Sequence, residues 1–156
     1  LLNINMNKSY LQKKIKDLFI VQENDGTYNL FGTYIVCPQT NGTFRVNVVD
    51  SDYHRDAVEL STLKYAVSWC VFEKNNKHKE RERLYELDQT LSSLNVNLAQ
   101  HKKLAEKAQL PDKFIYLAKL NEDKLKKRKA MEELEQYTTL SRYIQSKKYT
   151  ESKDEN

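Results

Sequence analysis

Glycine and proline are nearly missing from this chain, with three and two among 156 residues. A sequence with so few turn formers has few places to reverse, so long helices are its natural outcome. Cysteine is scarce as well: Cys37 and Cys70 lie far apart and supply neither a disulfide framework nor a set of metal ligands. No stretch approaches about 18 uninterrupted apolar residues, which excludes a membrane-spanning helix, and no membrane partner is expected. The three glycines form no phosphate-cradling G-x-G-x-x-G or P-loop pattern, and neither G-x-S-x-G nor H-E-x-x-H occurs. These absences argue against an enzyme and leave no cofactor to expect.

Charge, by contrast, is abundant. Lys and Arg number 26 against 22 Asp and Glu, a net charge of +4, and charged residues make up 31% of the chain. Residues 1–60 carry six basic and seven acidic groups, whereas residues 101–149 carry thirteen and seven. The surplus therefore gathers toward the C-terminus, where it suits nucleic acid or another anionic partner without requiring either. Unpaired cysteines and the lack of a secretory signal point to a reducing, cytoplasmic setting. Met6-Asn7-Lys8-Ser9 reads as an ordinary polar beginning, which makes Met6 the expected initiator.

The expected fold class is α+β, mostly α. Leu11, Ile15, Leu18 and Phe19 share the spacing of one helical face and predict a short helix over roughly 7–18. Beyond it, Asn24-Asp25-Gly26 and Thr40-Asn41-Gly42 are turn signals. They separate runs rich in β-formers around Phe19-Ile20-Val21, Thr27-Tyr28-Asn29-Leu30, Tyr34-Ile35-Val36 and Phe44-Arg45-Val46-Asn47-Val48. Phe44, Val46 and Val48 alternate with Arg45 and Asn47, the pattern of a half-buried strand. Gly32 marks a bulge or bend within the middle run. Together these runs predict a three-stranded antiparallel meander, and residues 50–59 read as a polar connector.

Ser61 is the predicted N-cap of a long helical stretch. From Thr62 to Ala108 there is neither Gly nor Pro, enough for a rod of roughly 70 Å. Its stretch from Glu73 to Arg83 holds little that is apolar, which predicts fraying or a kink there. Leu84, Leu87, Leu91, Leu94, Leu98, His101, Ala105 and Ala108 then step alternately by three and four residues, the repeat of a supercoiled helix pair. Leu110-Pro111-Asp112 breaks the run and starts a second helix over about 112–148, since proline favours a first turn and Asp complements the macrodipole. Folding straight back, with facing positions that sum to about 218, pairs Leu98 with Leu120, Leu94 with Leu125, Leu87 with Met131 and Leu84 with Leu134. Trp69, Phe72, Tyr143 and Tyr149 would then roof the sheet. The domain reading is a helix-plus-meander subdomain over 1–60, a hairpin over 61–149 and a disordered tail over 150–156, all in one folding unit.

Residue clusters that could carry chemistry are few. His54, His78 and His101 share no ligand spacing, and Cys70 sits in an apolar helix start as a buried thiol. Asp50 with Asp52, Glu122 with Asp123, and Glu132 with Glu133 and Glu135 read as solvated faces, because a two-helix hairpin offers no dry hollow to shift their pKa values. The basic run Lys124, Lys126, Lys127, Arg128 and Lys129 is the sharpest charged feature. On a helix its charges wrap around the axis instead of forming one stripe. They are candidate phosphate contacts, weighed against pairing with Glu122, Asp123, Glu132 and Glu133.

Ser61-Thr62-Leu63-Lys64-Tyr65-Ala66-Val67-Ser68-Trp69-Cys70, Leu87-Asp88 and Lys119-Leu120-Asn121-Glu122-Asp123-Lys124 resemble uncharacterised small proteins of marine contractile-tailed phages. That resemblance spans most of the chain after Phe19. It implies a viral setting, in the host cytoplasm or the virion, and supplies no activity, cofactor or site. The expectation is therefore a non-catalytic structural or assembly protein that works through helices, with a homodimer as the first partner and another protein as the second. Tyr65, Val71, Val96, Leu104 and Ile115 are apolar residues off the main seam that need such a contact. The alternative is a nucleic-acid accessory factor using Lys124 to Lys129 with Lys102, Lys103 and Lys107.

Overall fold

The computed structural model describes residues 13–15, 20–49 and 57–154. Six strands come first: β1 (Lys13–Ile15), β2 (Ile20–Gln22), β3 (Tyr28–Leu30), β4 (Tyr34–Pro38), β5 (Phe44–Val48) and β6 (Val58–Leu60). Three helices complete the chain, α1 (Leu63–Lys74), α2 (His78–Lys107) and α3 (Asp112–Asp154). The strands form one antiparallel sheet in sequence order. The α+β, mostly helical class is as expected, but the meander has six strands instead of three.

Each added strand has a physical reason. Gly32, expected as a bend within one run, has φ +71 and forms, with Phe31 at φ +60, the reversal between β3 and β4. Gly26 and Gly42 occupy the left-handed region at φ +87 and +88, as the two turn signals require. The connector expected over 50–59 ends in β6, where Val58 and Leu60 alternate with Glu59 and pair with Val46 and Phe44. The helix predicted over 7–18 is contradicted at Lys13–Ile15, which pairs with Gln22, Val21 and Ile20. An open sheet edge offers three residues a hydrogen-bonding partner that their helical periodicity could not reveal. The rest of that segment, with Met6, lies outside the described residues, as do Asp50, Asp52 and His54.

Thr62, one residue after the expected cap, closes the N-terminus of α1 by accepting a hydrogen bond from the Tyr65 N–H at 3.1 Å. Ser61 has a different task. Its backbone N–H donates to Asp88 Oδ2 at 3.0 Å and its hydroxyl donates to Asp88 Oδ1, which ties the end of the sheet to α2. The long rod is in fact broken between Lys74 and His78. Asn76 takes φ +58, and the Asn75 amide folds back on the Val71 carbonyl at 2.6 Å. Asn tolerates this left-handed turn better than most residues, so the kink expected from Glu73 to Arg83 becomes a true elbow.

α1 is buried on all sides, from Ala66 through Phe72 without interruption. It lies between the sheet, represented by Ile20, Leu30, Val36, Val46 and Leu60, and the hairpin, represented by Leu84, Leu87, Leu91, Ala130 and Leu134. Trp69 meets Tyr34 edge-on at 6.5 Å and Phe72 meets Tyr137 at 6.2 Å. Trp69 and Phe72 thus roof the sheet as expected; Tyr143 instead points outward, and the Tyr149 side chain lies outside the described residues. Val71, expected to await a second partner, is fully buried in this core. α3 extends to Asp154, so the expected disordered tail is helical to that residue; nothing in its sequence stops a helix already formed.

The Asp88 anchor gives a direct test. Replacing Asp88 with Ala strands the Ser61 donors and should lower unfolding stability by about 2–4 kcal/mol in urea titrations. A loss below about 0.5 kcal/mol would show that the anchor is dispensable.

Candidate functional site

The hairpin doubles back at Pro111, and its seam sets every surface that could bind something. On α2 the buried positions are Leu84, Leu87, Leu91, Leu94 and Ala105, with Leu98 and His101 half-buried, as the leucine repeat predicts; Asp88, off that repeat, is buried at its Ser61 anchor. The facing line on α3 differs from expectation. Leu134 is fully buried and Leu120 half-buried, but Leu125 is 48% and Met131 47% exposed. Their places are taken by Asp123, Lys127 and Ala130, and the line continues through Thr138, Ser141 and Gln145. Tyr116, Leu120, Asp123, Lys127, Ala130 and Leu134 are spaced by three and four residues, a seam as regular as the leucine one but half polar.

Buried polar seam positions need partners, and several find them on other elements or on α3 itself, where the Thr138 hydroxyl donates to the Glu135 carbonyl at 3.0 Å. His101 Nδ1 lies 2.5 Å from Asp123 Oδ2. The Ser68 hydroxyl on α1 meets the Ser141 hydroxyl at 2.8 Å, and Ser141 also donates to the Thr138 carbonyl. At the edges, Arg83 pairs with Glu133 at 2.9 Å and Lys64 with Glu135 at 2.7 Å. The hydrogen bond from Lys64 holds the Glu135 carboxyl below its ordinary value, and the Lys64 charge adds to the effect.

The seam leaves a shallow groove of about 780 Å³ along one side of the hairpin. Leu98, Ala99, Leu120 and Met131 make its floor, Lys102, Lys124, Lys127 and Arg128 rim one end, and Glu132 and Glu135 close the other. Of the five basic residues singled out in the sequence, three therefore converge here, joined by Lys102 across the hairpin. Lys126 instead pairs with Glu122 at 3.2 Å, and Lys129 is exposed outside the groove. Of the acids expected to neutralise the run, Asp123 and Glu133 are engaged by His101 and Arg83. Lys102 joins the run as the nucleic-acid reading expects, whereas Lys103 and Lys107 are exposed and do not line the groove.

A second hollow of about 650 Å³ lies where β5 and β6 meet α1 and α2. Arg81 there bonds Glu73 and stacks over Trp69 at 5.7 Å. Burial works to lower the Arg81 pKa, but its hydrogen bonds to Glu73 and Glu82 prevail and raise it, so the guanidinium stays charged. The Arg81–Glu73 pair spans the elbow and fixes the angle of the hairpin. Cys70 is fully buried, and desolvation pushes its thiol far above the ordinary range, which leaves it a poor nucleophile. Among the described residues, no group of three or more His, Cys, Asp or Glu is placed to hold a metal ion, and no helix is long and apolar enough to cross a membrane.

Two measurements probe this geometry. Lys64→Met should move the Glu135 carboxyl pKa up toward its ordinary value in a carboxyl-detected NMR titration; an unmoved pKa would mean the contact is absent in solution. Glu135 thus contributes to stability above its unfolded pKa, and that contribution fades as pH falls through the lower folded value. In the seam, Asp123→Ala and His101→Ala should each destabilise the hairpin by about 1–2 kcal/mol, with a double-mutant coupling of at least about 0.5 kcal/mol in denaturant titrations. Additive losses would show that the two residues act independently. A scan against family models and searches of curated proteins and solved structures find no match to this chain.

Proposed function

We propose that this protein is a non-catalytic assembly or interaction protein that acts through its helical hairpin, with a phage structural setting as the biological context. The observation that supports this reading is the apolar surface of the far half of the hairpin. Leu110, Phe114 and Ile115 are 65%, 64% and 55% exposed around the turn, and Leu104 in the last turn of α2 and Val96 farther back along it are exposed as well. Phe114 lies opposite the α3 seam while Ile115 and Leu117 flank it, so the first turns of α3 are apolar nearly all round. A helix of that character is ordinarily covered on every side. Among the described residues, the seam side alone is covered, and a second copy or another protein would complete the burial.

Light scattering across a range of concentrations should show a species larger than 18.5 kDa. Phe114→Ser combined with Ile115→Ser should shift the population toward monomer by about tenfold or more in dissociation constant. A strictly monomeric wild-type protein with no co-purifying partner would remove the proposal.

A second reading, a nucleic-acid accessory factor, is favoured by one specific feature: Lys102, Lys124, Lys127 and Arg128 share one groove. Labelled single- and double-stranded DNA should then bind with strong salt dependence. Absence of binding near 50 mM salt, roughly the low end of the range where phosphate contacts hold, would dismiss it.

A further inference from the structure

α3 carries a second seam, on the side away from α2. Phe114, Ala118, Asn121 and Leu125 step by four, three and four residues, and all four are exposed. That is the core repeat of a coiled coil, run over about 17 Å of helix. Leu125, which the intrachain seam leaves out, belongs to this second line. Lys124 lies on one flank of Leu125 and Lys129 on the other, the positions that face a partner's flanking charges. Among the described residues neither lysine forms an ion pair, whereas Glu122 on the same face is answered by Lys126 at 3.2 Å. A helix that completes this seam must bring apolar residues for Phe114 and Leu125, a polar group for Asn121, and carboxylates for the two lysines.

A second copy fits this seam poorly. In a parallel pair Asn121 meets its own counterpart, but Lys124 falls against Lys129 of the second copy. In the antiparallel register that sets Phe114 against Leu125, Asn121 falls against Ala118 and Lys124 against Leu117 of the second copy. Neither the amide nor the charge is then answered. Residues 96–129 also hold ten Lys and Arg against four Asp and Glu, so two such arms repel each other as wholes. A lipid surface calls for a broader apolar face than a line with Asn121 at its centre. We propose that the outer face of α3, from Phe114 to Lys129, is the docking site for an acidic amphipathic helix of another protein, which lies along it as the third helix of a coiled coil. The proposal rests on the reading of the hairpin as an assembly surface; of the two covers left open there, it assigns this stripe to another protein. Self-association is left to the exposed apolar residues outside the stripe, Leu110, Ile115 and Leu104 among them.

The test uses the full chain and two labelled synthetic helices that share leucine at their core positions and one asparagine among them. One helix carries glutamate at every flanking position and the other lysine. In fluorescence anisotropy the glutamate helix should bind the wild type about 100-fold tighter than the lysine helix, or more. K124E/K129E should cut that preference by about tenfold or more. F114S/L125S, which keeps every charge, should weaken binding of the glutamate helix by about tenfold or more with circular dichroism unchanged. Equal binding of the two helices, or glutamate-helix binding that F114S/L125S leaves intact, overturns the inference. A wild type that assembles in light scattering yet binds neither helix overturns it while leaving helix-mediated assembly standing. A monomeric wild type that binds neither helix and carries no partner through purification overturns both. Binding to phosphatidylserine-containing vesicles by a protein that takes up neither helix would give the face to a membrane instead.

Discussion

Everything in this molecule is arranged around one helix that has no exposed face. From Ala66 to Phe72, α1 is buried residue after residue, with the sheet beneath it and the hairpin above. A helix apolar all round cannot rest on the surface of either layer alone, because one side would always meet water. Its presence forces a three-layer arrangement. The sheet supplies Val36 and Val46 below, while Leu84 and Leu134 close from above. Complete burial of Phe72 and Val71 explains why a short sheet of three- and five-residue strands can be stable here. Polar links then set the angles: Ser61 to Asp88 at one end of α1, and Glu73 to Arg81 at the other.

The hairpin continues this logic outward with steadily less apolar material. Near α1 its seam is leucine against leucine and alanine. Farther out it becomes leucine against half-buried lysine, then histidine against aspartate. A seam of that kind gains less from burial and more from pairing, and pairing fixes register more sharply than it adds stability. The distal part is therefore specific without being strongly held, which is consistent with an arm that depends on another chain for part of its cover.

Much of this plan can be read from residues alone, and the reasons for success and failure are physical. The proline reversal at Pro111 and the leucine repeat from Leu84 to Leu98 are local signals of long period, and the structure follows them. Gly26 and Gly42 mark turns because few other residues take their backbone angles. β1 and β6 escape such a reading because their pairing energy comes from a neighbouring strand that is already in place. Apolar character alone assigns Leu125 and Met131 to the seam. It passes over Asp123, Thr138 and Ser141, although each has a partner on its own helix or on another element. A pattern of apolar residues finds oily seams and misses those held by matched polar groups. The meeting of Lys102 with Lys124 and Lys127 follows from the fold-back at Pro111, but the apolar floor beneath them is hidden, because apolar patterning alone puts Met131 in the seam.

The elbow at Asn76 has a mechanical consequence. Because the chain turns there within three residues and is clamped by a largely buried ion pair, the root of the arm cannot swivel freely on the sheet. Compliance is pushed instead toward the free end, where the internal packing is thinnest. The molecule is built as a cantilever: a rigid block carries a beam that bends most at its tip. Whatever grips that tip would feel small lateral displacements as nearly free and rotation at the root as strongly resisted.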